Sequence, residues 1–240
     1  MRATRAEPLP FARHPAPPVD HYSTVTDHRQ RRYLRDLLRR WFPVRRPVQH
    51  DFACGTGRAI QLLHGLVHAA HGYDFSDVML SRARELGVAA SLHLVTPTGP
   101  VPHVANEQRP LIVTCARFLA TVEPAIRDLA VRFAAHALPH PHSGLFVVEL
   151  ERRSHRKREA AIDPLSPRDF HALLAKHGFV VIEQRGFGVL TPAWYRWPVV
   201  RHLASAVDAL AAVLPLTRWC TTVLYVAQRQ PHPDDDTRMG

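Results

Sequence analysis

The sequence predicts an α/β fold, a mostly parallel seven-stranded sheet with helices on both faces. Three observations predict it. Short apolar runs recur at 48–52, 68–73, 90–95, 111–115, 144–150, 180–183 and 221–227. Stretches with apolar residues at helical spacing separate most of them. A Gly-rich turn joins the first run to a helix, the join expected between a parallel strand and its crossover.

The elements follow in order. Residues 1–18, rich in Arg, Pro and Ala, predict a disordered leader ahead of one domain over 19–228. Asp27 can cap a helix reaching Trp41, whose stripe is Tyr33, Leu34, Leu37, Leu38 and Trp41. Pro43 and Pro47 end it and lead to the first strand. Ile60, Leu62 and Leu63 mark the next helix. Ser76 is an N-cap for a helix carrying Val78, Met79, Leu80, Ala83 and Leu86, closed by Gly87. Ile126, Leu129, Val131, Phe133 and Ala134 give a helix over 123–138. Ser166-Pro167 opens another, with Phe170, Leu173 and Leu174 inward and Gly178 as its stop. The connection 187–218 is long for two neighbouring strands and holds Trp194, Tyr195 and Trp197, so it reads as a substrate lid. Residues 229–240 predict a loose tail.

Composition narrows the function classes. Cys54, Cys115 and Cys220 show no metal-ligand spacing and do not pair evenly, so no metal site or disulfide framework is expected and a reducing cytoplasm fits. The most apolar stretch, 199–216, is broken by Arg201, His202 and Asp208, which excludes a membrane span. The net charge of +10 would suit a nucleic-acid partner. Nearly all of the base is arginine, however, with only Lys157 and Lys176 as lysines, so a coding bias is the plainer reading. The basic run Arg152, Arg153, Arg156, Lys157 and Arg158 follows the fifth strand and reads equally as an anion contact or a solvated loop.

The chemistry-bearing run is Asp51-Phe52-Ala53-Cys54-Gly55-Thr56-Gly57-Arg58. Gly55 and Gly57 let a ligand approach the backbone, and the following helix start offers free N–H groups. A dinucleotide fingerprint would need glycine at 53, 55 and 58. Ala53 and Arg58 stand there, and Arg58 is expected to crowd the helix–strand contact. Asp74 closes the second strand one βαβ unit later, where a carboxylate can accept hydrogen bonds from both ribose hydroxyls of a nucleoside.

The stretches DFACGTGR and GYDFSDVMLSRAREL resemble the first two motifs of class I S-adenosylmethionine-dependent methyltransferases. LIVTCARFLATVEPAIRDLAVRFAAHAL and SPRDFHALLAKHGFVVIEQRGFGVLTP are similar to later parts of the same family, so the resemblance covers most of the chain. It implies a Rossmann-like sheet whose last strand is antiparallel, with S-adenosyl-L-methionine as cofactor. It also implies that Asp51, Ala53, Cys54, Gly55, Thr56 and Gly57 line the methionine part and that Asp74 holds the ribose. Phe75, Met79 and Thr96 would lie by the adenine, Cys115 by the methyl, and Tyr22 would close the site. Arg117, Trp194, Tyr195 and Trp197 would meet the acceptor. His50, where a core aliphatic is usual, and Thr96, where aspartate is common, depart from the pattern. No Asn-Pro-Pro-Tyr-like run follows the fourth strand, so a small-molecule acceptor is expected first, a nucleic acid or protein second, and a non-catalytic binding module third. No catalytic base is singled out by the sequence.

Overall fold

The computed structural model describes residues 21–104, 108–151, 165–188 and 220–230. The lid segment from 189 on, the leader, most of the tail and the basic run at 152–158 lie outside these residues.

Among the described residues five α-helices and seven strands follow one another: α1 (His21–Trp41), β1 (Val48–Phe52), α2 (Arg58–Leu63), β2 (Ala70–Asp74), α3 (Asp77–Glu85), β3 (Ser91–Leu94), β4 (Leu111–Ala116), α4 (Pro124–Ala137), β5 (Gly144–Glu151), α5 (Pro167–Lys176), β6 (Phe179–Phe187) and β7 (Thr222–Arg229). The spatial order of the strands is 3-2-1-4-5-7-6. Strands 1 to 5 pair parallel, and β7 runs antiparallel to both β5 and β6. The order reverses between β1 and β4, so the crevice at their carboxyl ends is the natural ligand position.

Alternation along the strands sends side chains to two faces. Ile112, Leu145, Val147, Leu224 and Val226 meet Tyr33, Leu34, Leu37 and Leu38 of α1 on one face. Val113, Phe146, Val148 and Tyr225 meet Leu129, Val131 and Phe133 of α4, with Phe170 and Leu174 of α5, on the other. β4, β5 and β7 are therefore covered on both sides, which explains their nearly uninterrupted apolar sequences.

Local signals place most of the ends. The Ser76 hydroxyl accepts from the Met79 N–H, and the Ser166 hydroxyl accepts from the Asp169 N–H. Both caps lie where the sequence predicts them. Four expectations are corrected. α1 begins six residues before Asp27, whose carboxylate serves a long-range ion pair instead of a cap. β6 runs to Phe187 because its polar residues Glu183 to Arg185 sit on an edge strand, where water can take one face. Arg229, the first residue of the expected tail, still pairs in β7. Trp41 is exposed, not buried in the stripe assigned to it, and Val78 and Leu86 of α3 are exposed too.

No helix stands between β3 and β4 among the described residues, so the α4 face of β1 to β3 is only partly covered, by Val95, Val101 and Val104. Histidines occupy that gap. His50, His71 and His93 lie on three adjacent strands, with ring centroids 4.9 Å apart for the first pair and 5.8 Å for the second. Tyr73 stacks on His93 at 4.9 Å, and its hydroxyl is 3.1 Å from His50 Nδ1. Burial, with the charges of His71 and His93 adding to it, pushes the His50 imidazole down to about 4.

Candidate functional site

β1 ends at Phe52, and the chain turns through Ala53, Cys54, Gly55, Thr56 and Gly57 before α2 starts at Arg58. Three residues of this turn have left-handed backbone: Ala53 at φ 57°, Gly55 at φ 54° and Gly57 at φ 83°. The two glycines differ in what surrounds them. A Cβ on Gly55 would project into open space, so this glycine leaves a cradle that a side chain would fill. A Cβ on Gly57 would sit 2.8 Å from the Val88 methyls, so Gly57 is required by packing against the segment after α3. Ala53 keeps its side chain in a conformation that costs a non-glycine residue on the order of 1–2 kcal/mol.

Asp74, at the end of β2, meets this turn. Its Oδ2 accepts from the Gly55 N–H at 2.7 Å, and its Oδ1 accepts from the Ser76 N–H at 2.9 Å. Burial pushes its carboxyl up from the ordinary range, while the N–H groups of Gly55, Ser76 and Phe75 pull it back. A carboxylate offers about four lone-pair positions, so these N–H donors do not fill it. Asp51 lies deeper in β1. Its Oδ1 accepts from the Thr114 hydroxyl at 2.6 Å, and Gln49 Nε2 donates to that hydroxyl at 3.0 Å. Burial raises the Asp51 carboxyl to about 7, against the hydrogen bond from Thr114.

Beside this turn lies a charged network under α1. Glu149 of β5 is 2% exposed. Its Oε2 pairs with Arg58 Nη1 at 2.5 Å, and its Oε1 accepts from Arg117 Nε and from Gln30 Nε2, each at 3.0 Å. Arg58 also reaches Asp27 Oδ1 at 2.6 Å and Gln30 Oε1 at 2.6 Å. The expected crowding by Arg58 is thus corrected: its side chain turns toward α1 and β5 and ties α1, α2 and β5 together. The arginines outweigh the cost of burying Glu149, so its carboxyl is held below the usual range. A cavity of about 20 Å3 under α1 touches Gln30, Thr114, Ala116 and Glu149, room for a single water.

The expected site residues divide into groups. Gly55, Thr56, Asp74, Phe75 and Met79 stand together at the carboxyl edge, with Thr96 just beyond Val95, whose N–H donates to the Asp74 carbonyl. Phe75 packs edge-on to Phe52 and stacks with Phe118, 6.0 Å between centroids, so part of its ring belongs to an aromatic cluster. Cys54 and Cys115 are core residues: their thiols are buried among apolar side chains, and burial pushes both far up. The Asp51 side chain is likewise turned into the β1–β4 network. Trp194, Tyr195, Trp197 and the side chain of Tyr22 fall outside the described residues. Gln30, Arg58 and Glu149 were not singled out as site residues by the sequence. The one signal for Glu149 is a charge inside the apolar run Gly144–Glu151.

No protein-family profile matches the chain, and no curated protein is similar in sequence. Solved structures are similar in fold. An S-adenosylmethionine-dependent methyltransferase from Clostridium acetobutylicum superposes with a TM-score of 0.57 at 11% identity, covering 87% of this chain and 92% of that one. Magnesium protoporphyrin IX methyltransferase from Synechocystis, solved with bound S-adenosylmethionine, gives 0.51 at 12% identity, with 92% and 88% covered. The [4+2]-cyclase SpnF gives 0.54 at 17% identity, with 83% and 81% covered. Strand order, the antiparallel β7 and these superpositions agree: the chain has the Rossmann-like fold of class I S-adenosylmethionine-dependent methyltransferases.

Proposed function

We propose that the chain is an S-adenosylmethionine-dependent methyltransferase acting on a small-molecule acceptor in a reducing cytoplasm. The observation that carries this reading is the Gly55–Asp74 junction. A carboxylate with lone-pair capacity to spare is bonded to a turn whose glycine leaves open space, at the switch point of the sheet. Asp74 would hold the two ribose hydroxyls, Gly55 would admit the methionine part, and Phe75 and Met79 would flank the adenine. When bound, the cofactor supplies an activated methyl group for in-line displacement. The work left to the protein is to orient the acceptor and exclude water. Glu149 is unsuited to act as a base, because both of its oxygens are engaged by arginine. Three free, buried cysteines fit a reducing compartment, and no described helix is long and apolar enough to cross a membrane.

A [4+2]-cyclase shares the fold, so the fold alone does not fix the reaction. The net charge of +10 favours an RNA acceptor as the second reading. The test is label transfer from methyl-tritiated S-adenosylmethionine to a small-metabolite extract and, separately, to total RNA. Label in the small-molecule fraction is the expected result. Label in RNA alone would replace the first reading with the second. Cofactor binding with no label in either fraction would point to a binding module.

A further inference from the structure

We propose that the methyl acceptor carries a carboxylate or phosphate group, and that Arg117 binds it through the two terminal nitrogens of its guanidinium. The proposal rests on the methyltransferase reading of the site.

Arg117 directly follows β4, at the carboxyl edge of the sheet. The β1–β4 register, Asp51 opposite Thr114, puts it level with the turn after β1. Its N–H donates to the Glu149 carbonyl at 2.9 Å, which extends the β4–β5 ladder by one bond. Its φ is +56°, and Ala53 is the other non-glycine residue with positive φ among the described residues. The two strained residues therefore terminate adjacent strands on either side of the crevice. Such strained backbone gathers at functional sites.

The side chain is anchored at one atom. Arg117 Nε donates to Glu149 Oε1 at 3.0 Å, and the remaining oxygen of Glu149 is taken by Arg58. Nη1 and Nη2 of Arg117 have no partner among the described residues, and the side chain is 32% exposed. A guanidinium held by Nε presents its Nη pair end-on, and that fork matches two oxygens of a carboxylate or phosphate. Nearby charges are balanced: Arg58 and Arg117 face Glu149 and Asp27, and the exposed Glu151 adds a screened negative charge. The attraction for an anion is accordingly local, coming from aligned donors on a fixed cation. A role confined to bracing Glu149 would need Nε alone and would give no reason to keep both Nη groups free on a side chain that is 32% exposed.

The test is calorimetric titration of the protein saturated with S-adenosylmethionine, at constant ionic strength, using benzoate, its uncharged isostere benzamide, and inorganic phosphate. One of the two anions binds, and benzamide binds at least about tenfold more weakly than benzoate if the carboxylate is the ligand, as expected for charge-assisted hydrogen bonds. Phosphate binding without benzoate binding assigns the site to a phosphorylated acceptor, and the reverse assigns it to a carboxylate. Arg117→Gln removes the anion signal. Arg117→Lys, which keeps the charge and loses the fork, weakens it several-fold and serves as the decisive variant if Arg117→Gln does not fold. Absence of binding by both anions, or anion affinity unchanged in the folded variants, overturns the proposal. A parallel titration with S-adenosylmethionine separates the two levels: failure of the cofactor to bind defeats the methyltransferase reading itself.

Discussion

The two faces of the sheet near β1 handle buried polarity in opposite ways. Under α1 and α2, the polar side chains are joined end to end. Gln49, Thr114 and Asp51 form one chain, and Gln30, Arg58, Glu149 and Arg117 form another. On the opposite face no described helix covers β2 and β3, and the polar groups are a stack of imidazoles running from buried His50 to exposed His93. The difference teaches what a covering helix demands. Where helices seal the face, a charge persists only with partners for its lone pairs and protons. Where the face opens, titratable rings can remain because one end of the ladder reaches water.

The largest expected effect comes from breaking the sealed network. Glu149→Ala leaves two half-buried arginines without their shared carboxylate, a loss of about 3 kcal/mol. At about 2–4 °C per kcal/mol for a domain of this size, Tm should fall by roughly 10 °C in a thermal melt. Glu85→Ala, which removes an exposed i,i+3 pair with Arg82, should cost under about 0.5 kcal/mol. Similar losses in both variants would remove the distinction between the two kinds of ion pair.

The next effect is in the pH dependence, and it sets the two faces against each other. His50 has a folded value near 4 against its usual 6.5, so its contribution is present above 6.5 and is lost as pH falls toward 4. Asp51 has a folded value near 7 against its usual 3.8, so its contribution is present below 3.8 and is lost as pH rises toward 7. Each is worth about 3–4 kcal/mol across its window, from about 1.4 kcal/mol per unit. Between pH 4 and 6.5 the two slopes oppose and largely cancel. Denaturant melts of His50→Phe should therefore lose stability with rising pH relative to the parent, and those of Asp51→Asn should gain it. Slopes of the same sign in both variants would contradict the assignment.

A smaller comparison lies within the Gly-rich turn. Ala53→Gly relieves left-handed strain and should stabilise the fold by up to about 1 kcal/mol. Gly57→Ala adds both left-handed strain and a clash with Val88, and should destabilise it by about 2 kcal/mol. Urea titrations of the two variants read both signs. A Gly57→Ala protein as stable as the parent would show that Val88 gives way.

How much of this could be read in advance depends on the range of the interactions. β4, β5 and β7 are legible because strands covered on both faces must be largely apolar, and α3 and α5 because Ser76 and Ser166 act on N–H groups three residues away. Asp74 and Gly55 are legible because a fixed βαβ spacing brings them together. The start of α1 was not, because Asp27 looks locally like a cap and its partner Arg58 is 31 residues away. The Glu149 network joins residues up to 119 apart, and no local pattern encodes it. The histidine ladder needed the strand order, since His50, His71 and His93 become neighbours only once β1, β2 and β3 are paired.

Whether a nucleoside cofactor seats at the Asp74–Gly55 junction is tested most directly by isothermal titration of the parent protein and of Asp74→Ala with S-adenosylmethionine. The account predicts one site per chain, with affinity in Asp74→Ala weaker by at least about tenfold, roughly 1.4 kcal/mol or more, because two hydrogen bonds to a charged acceptor are lost. No binding by the parent, or equal affinity in the folded variant, would contradict it.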